Sequence, residues 1–166
     1  MPLVLDVGCG SHPYRKKGCK TVCIDIYSSY TPQAEDQRHL VKVKHGDFFI
    51  RASGERLPFR DNVFPLVAAI HTIEHVNKPS LMLSEMIRVS NRRVIVKCPH
   101  RFSRFAKMPS HKHYFNKTWF VKALKRSNVK YGIQLSYRQV FWPLPKLPIK
   151  IPLFEAPEEI TVKMSK

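Results

Sequence analysis

Between Glu85 and Glu155 the chain has no aspartate or glutamate, although the same interval carries sixteen lysines and arginines. That deficit dominates a chain of 166 residues with a formal net charge of +17. One-sided charge attracts polyanions and speeds encounter with them. A solvated basic face would satisfy the same composition, so charge alone names no substrate. Also missing is any apolar run of membrane-spanning length, or a basic segment at the start of the kind that opens a signal peptide. A cytoplasmic protein with no membrane span is the expectation. The four cysteines, Cys9, Cys19, Cys23 and Cys98, lack the spacing of a zinc knuckle and lack a second pair. They read as reduced structural thiols rather than a disulfide framework. His111 and His113, two apart in a basic stretch, are read as loop histidines, and no metal site is expected.

What is present begins with the segment 3–10, a short apolar run carrying one acid, Asp6, that breaks into Gly8-Cys9-Gly10. A buried parallel strand turns in this way when backbone must approach a bound nucleotide. The third glycine of a dinucleotide fingerprint is absent, because Pro13 stands in its place. That glycine lets a helix pack closely under a pyrophosphate, so its absence argues against NAD. The turn comes so early that little or nothing is expected to precede the site. An open pocket, covered by a second copy in a homodimer or by another partner, follows from that expectation.

Apolar runs at 3–7, 21–26, 47–53, 64–70 and 93–98 read as five strands, the fourth apolar enough for a central position covered on both faces. Residues 11–17 and 32–40 each read as a helical turn. Pro79 opens a helix with Leu81, Met82, Met86 and Val89 at helical spacing. Asn116 is placed to cap a second helix bearing Trp119, Phe120, Ala123 and Leu124. Residues 129–140 and 159–164 read as two closing strands, with a proline-punctuated connection over 142–157. The sum is one domain over 1–166. Its fold class is α/β: a Rossmann-like, mostly parallel sheet of seven strands or slightly fewer, with a C-terminal antiparallel hairpin and helices on both faces.

In such a sheet ligands bind beyond the carboxyl ends of the strands. Asp25 closes the second strand, where a carboxylate can accept both ribose hydroxyls of an adenosine. Asp6, inside an apolar strand, needs backbone amides around it, since an unpaired buried charge is costly. His71 and His100 follow the fourth and fifth strands; either could serve as a base, and each also reads as a hydrogen-bonded structural histidine.

Taken together, Leu5-Asp-Val-Gly-Cys-Gly10, Cys23-Ile-Asp-Ile26, Gly54-Glu-Arg-Leu-Pro-Phe59, Ile73-Glu-His-Val76 and His113-Tyr-Phe115 resemble the class I S-adenosylmethionine-dependent methyltransferases of the type 11 group. The resemblance covers about residues 3–128 and suggests a minimal form without N-terminal helices. It implies S-adenosyl-L-methionine as cofactor, held by Asp6, Gly8, Cys9, Gly10, Asp25 and Ile26. It further implies adenine-side contacts from Ser53 and Gly54, and a place for His71 near the methionine end. Ser53 stands where the family commonly has Asp, with Asp47 the fallback, and Pro65 replaces another common Asp. The basic interval suggests an RNA or DNA acceptor. Sugars, lipids or other small molecules, which relatives often methylate, are the alternative, as is a non-catalytic binding module.

Overall fold

A strand that is apolar on both faces belongs in the middle of a sheet, and the run over 64–70 takes that position, with 3–7 beside it. The computed structural model describes residues 1–10, 13–27, 47–143 and 150–166, with the backbone alone for 139–143 and 150–154. In chain order the elements are β1 (Leu3–Val7), β2 (Lys20–Asp25), β3 (Phe48–Arg51), β4 (Phe64–Ile70), α1 (Pro79–Val89), β5 (Ser90–Pro99), α2 (Lys117–Leu124), β6 (Lys130–Pro143) and β7 (Lys150–Ser165). They form one seven-stranded sheet in the order β3-β2-β1-β4-β5-β7-β6. β1 pairs in parallel with β2 on one side and β4 on the other, so strand order reverses there. β7 runs antiparallel to both β5 and β6. The expected mostly parallel sheet with an antiparallel C-terminal hairpin is therefore found.

Alternate residues of the central strands, Leu5, Val7, Val67, Ala69, Val94 and Val96, share one buried cluster with Met82 and Met86 of α1 and Phe120 and Leu124 of α2. The helix spacing read from the sequence generates this layer. Asn116 caps α2 as expected, its side chain accepting the Trp119 amide at 2.9 Å. No helix among the described residues is long and apolar enough to cross a membrane. The helical turn expected over 32–40 lies outside the described residues.

Two expectations need correction. Residues 13–17 form no helix. The chain there is drawn out by the Asp6 carboxylate, which accepts the Tyr14 amide at 2.6 Å, and by an ion pair between Arg15 and Asp47. The described residues of the proline-rich connection, 142–143 and 150–157, are strand, with β6 and β7 paired from Lys130↔Ser165 to Pro143↔Lys150. Two of its prolines fall where the ladder is interrupted. Pro157 and Pro152 each adjoin a register shift, at Ser136/Tyr137 and Val140/Phe141, where an extra residue relieves the lost donor. Pro65 sits likewise at the register shift between Phe64 and Leu66 in β4.

Arg88 ties α1 to the loop before β4. Its guanidinium donates to both oxygens of Glu85 (2.6 and 2.8 Å), to the Phe59 and Leu57 carbonyls (2.8 and 3.1 Å) and to Asp61 (2.7 Å). Replacing it by alanine strips five hydrogen bonds from a partly exposed site. Arg88→Ala should lower unfolding free energy by roughly 1–3 kcal/mol. Urea denaturation would show this as a lower midpoint at unchanged slope.

Candidate functional site

Four strand ends converge where strand order reverses. β1 ends in Gly8 and Gly10, with φ of 75° and 46°. The Gly8 and Cys9 amides donate to the Ile24 carbonyl at 2.7 and 3.1 Å, which holds the turn against β2. The two glycines are required for different reasons. A Cβ on Gly8 would stand 2.0 Å from Thr72 Cγ2, and the Thr72 hydroxyl donates to the Gly8 carbonyl at 3.1 Å. A Cβ on Gly10 would meet nothing within 4 Å. Gly10 is there for its backbone conformation, with open space above it.

At the end of β2, the Asp25 carboxylate accepts the Gly10 amide on one oxygen (3.0 Å) and the Tyr27 amide on the other (3.1 Å). Each oxygen keeps a further lone pair. The carboxylate is thus set by backbone before any ligand arrives. Asp25 and Ile26 line a cleft of about 420 Å³ together with Val7, Gly8, Gly10, Ser53, Gly54, His71 and Thr72. Ser53 Oγ accepts the Glu55 amide at 3.2 Å, which shapes the turn after β3. Asp47 does not reach this place. It precedes β3 at the opposite end of the sheet, where it accepts the Thr21 amide at 2.9 Å and pairs with Arg15.

Asp6 and Cys9 lie beneath the turn rather than among the cleft-lining residues. Burial raises the Asp6 pKa from 3.8 to about 7, with a smaller contribution from Asp25, against the stabilising Tyr14 amide and Arg15. The Cys9 thiol faces Cys23, and that hydrogen bond with burial holds its proton in place.

The two histidines sit differently. His71 lines the cleft and adopts φ 53°, a conformation uncommon outside glycine. Its Nε2 lies 3.0 Å from Glu159, itself paired with Lys97 at 2.8 Å, and its Nδ1 lies 3.6 Å from Glu74. Glu74 foremost, then Glu159, raises its pKa despite burial, favouring the form that donates a proton. His100 is 6 % exposed and does not line the cleft; its Nδ1 accepts the Phe102 amide at 3.3 Å, and burial lowers its pKa. It anchors the basic loop.

Sequence reasoning missed Thr72, Asn77, Ser110 and Lys112, all of which line the cleft. Lys112 Nζ donates to Asn77 Oδ1 at 2.8 Å, and Glu55 accepts the Asn77 and Lys78 amides at 2.6 and 2.8 Å. Thr72 was within reach of reasoning, being next after the β4 end. Nothing in spacing connects Lys112 to a cleft 35 residues upstream.

Comparison with known proteins agrees with this geometry. A family model described as a methyltransferase domain matches residues 5–96, more than half of the chain. The chain belongs to that family. The demethylmenaquinone methyltransferase of Renibacterium salmoninarum is 32% identical over 91 residues, covering 52% of this chain and 36% of that protein. The chain thus spans about a third of the length of that curated relative. Among solved structures, a SAM-dependent methyltransferase from Archaeoglobus fulgidus superposes with a TM-score of 0.71 at 15% identity, covering 99% of this chain and 86% of that one. The YcgJ protein of Bacillus subtilis gives 0.70 at 13% identity, covering 99% and 92%. At such identities the likeness is one of fold, and the methyltransferase domain has the Rossmann-like architecture of those proteins.

Two measurements test the site's construction. Gly8→Ala forces a methyl into Thr72 at positive φ and should cost about 1–3 kcal/mol. Adding Thr72→Gly, which also removes the Thr72 Cβ at 2.8 Å, should restore only the steric part, leaving the backbone strain visible in the melting temperature. Asp6, with its folded pKa above the ordinary value, contributes stability that is complete below about pH 4 and lost as pH rises through about 7. The Asp6→Asn variant should lack that decline, so its melting temperature should gain on wild type between those limits.

Proposed function

We propose that this domain transfers a methyl group from S-adenosylmethionine to an acceptor at the mouth of the cleft. The observation that carries the reading is Asp25, held by the Gly10 and Tyr27 amides and facing the cleft beside the glycine turn. The residues fit such a cofactor: a paired acceptor for two ribose hydroxyls, open space above Gly10, and a small turn at Ser53 and Gly54 for the adenine side. When bound, the cofactor supplies a methyl made electrophilic by its sulfonium. The chain's part is to place the acceptor in line and exclude water, with Val7, Ile26 and Val76 as apolar wall. His71, at the β4 end, stands nearest the expected methionine side.

For the acceptor we infer RNA or DNA. The loop over 101–115 supplies Ser110 and Lys112 to the cleft wall and interleaves cations with exposed rings. Phe102 is 68 % exposed, with the Arg101 guanidinium 5.3 Å from its ring; Arg104 lies 4.6 Å from Phe105. Basic residues interleaved with rings suit phosphates and stacked bases. The match to a demethylmenaquinone methyltransferase supports a second reading, a small apolar acceptor, in which the loop's rings face that molecule. Four free cysteines accord with a reducing cytoplasm.

Asp25→Ala should bind S-adenosylmethionine roughly 100-fold or more weakly, from two lost charge-assisted hydrogen bonds, with unchanged circular dichroism. Calorimetry decides it, and retained affinity would place the ribose elsewhere. Transfer of labelled methyl into fractionated RNA, DNA, protein and small molecules separates the acceptors. Label confined to small molecules would refute the nucleic-acid reading.

A further inference from the structure

Among the described residues, Glu74 stands out. It is 1 % exposed, and neither carboxylate oxygen has a hydrogen-bond partner. His71 Nδ1, the nearby basic group, is 3.6 Å away, too far for a hydrogen bond. A carboxylate in that position carries a desolvation penalty that a protein normally offsets with a cation or donors.

Two imidazoles stand beside it. The rings of His75 and His111 meet edge to face with centroids 4.7 Å apart. One ligand atom from each of Glu74, His75 and His111 lies within 4.8 Å of the other two. The tautomers follow from the hydrogen bonds. His75 Nδ1 lies 3.0 Å from the Ser110 carbonyl and His111 Nδ1 lies 2.9 Å from the Ala106 carbonyl. A carbonyl oxygen only accepts, so both Nδ1 atoms carry hydrogen and both Nε2 atoms keep their lone pairs. A backbone carbonyl fixing one ring nitrogen while the other stays free is the usual arrangement of a metal-binding histidine. The backbone also holds the loop next to His111 against Glu74, with the Lys112 and His113 amides donating to the Glu74 carbonyl at 2.8 and 3.3 Å.

We propose that Glu74, His75 and His111 bind a divalent transition-metal ion of the zinc type. Two imidazoles and one carboxylate suit zinc and exclude the all-oxygen preference of calcium and magnesium. Ligand atoms about 3.3 Å apart are needed for bonds of about 2.0–2.1 Å, so small side-chain rotations complete the site. The fourth position is left to water or to a ligand, and His75 lies on the cleft wall. The ion clamps the basic loop, through His111, to the turn after β4. The inference stands on these three residues and is independent of the proposed methyl transfer.

The test uses the full chain, stripped of metal and titrated with zinc chloride against a chromophoric chelator. One tight equivalent is expected, weakened about 100-fold or more in His111→Ala and in Glu74→Gln, and unchanged in His113→Ala. Should Glu74→Gln not fold, the half-buried His111 and His75 positions decide the matter through their alanine variants. Cobalt(II) in place of zinc should give a spectrum free of thiolate charge transfer. No uptake, uptake indifferent to the histidine variants, or a thiolate band pointing to the cysteines would each overturn the assignment.

Discussion

The close approach of Gly8 to Thr72 is the constraint on which the rest of the site depends. A hydroxyl can donate to the Gly8 carbonyl only because no Cβ occupies the space between β1 and the chain leaving β4. With the two central strand ends locked together, the turn at Gly8–Gly10 cannot swing away from Asp25 on one side or from His71 on the other. The Gly10 amide then meets the Asp25 carboxylate, and the Gly8 and Cys9 amides meet Ile24. The cleft exists because four neighbouring strands, β3, β2, β1 and β4, end at the same level and their turns are bonded to each other.

Charge in this molecule is arranged around that cleft rather than spread evenly. Two of the few acids in its C-terminal half, Glu158 and Glu159, face cations: Glu158 lies 3.5 Å from Arg104 and 3.8 Å from Arg138, and Glu159 lies 2.8 Å from Lys97. Glu159 also meets His71, so β7 brings an acid to the end of β4. Glu74 is buried beside three histidines, and neither of its carboxylate oxygens is hydrogen-bonded.

Much was legible in the residues because the relevant physics is local. The glycine turn, the acid ending β2, the proline opening α1 and the Asn116 cap each depend on their immediate neighbours, and each is found where expected. Other expectations depended on distant partners. The 13–17 segment is drawn out by bonds to Asp6 and Asp47, one of them more than thirty residues away. The prolines of 152 and 157 look like breakers until the register shifts across the hairpin are known. His111 was paired with His113 by spacing, yet its ring meets His75, brought to it by the backbone bonds between Glu74 and the loop.

The amino-acid order by itself determined the alternation of elements, the apolar layer and the chemical kind of turn that opens the cleft. Hydrophobic period and backbone freedom act over a few residues, so they are written in consecutive positions. Only the tertiary structure decided which polar groups face one another: Lys112 with Asn77, Glu159 with His71, and Glu74 with two imidazoles. Those meetings follow from strand order and register, which are set by the packing of the whole sheet and leave no trace in sequence spacing.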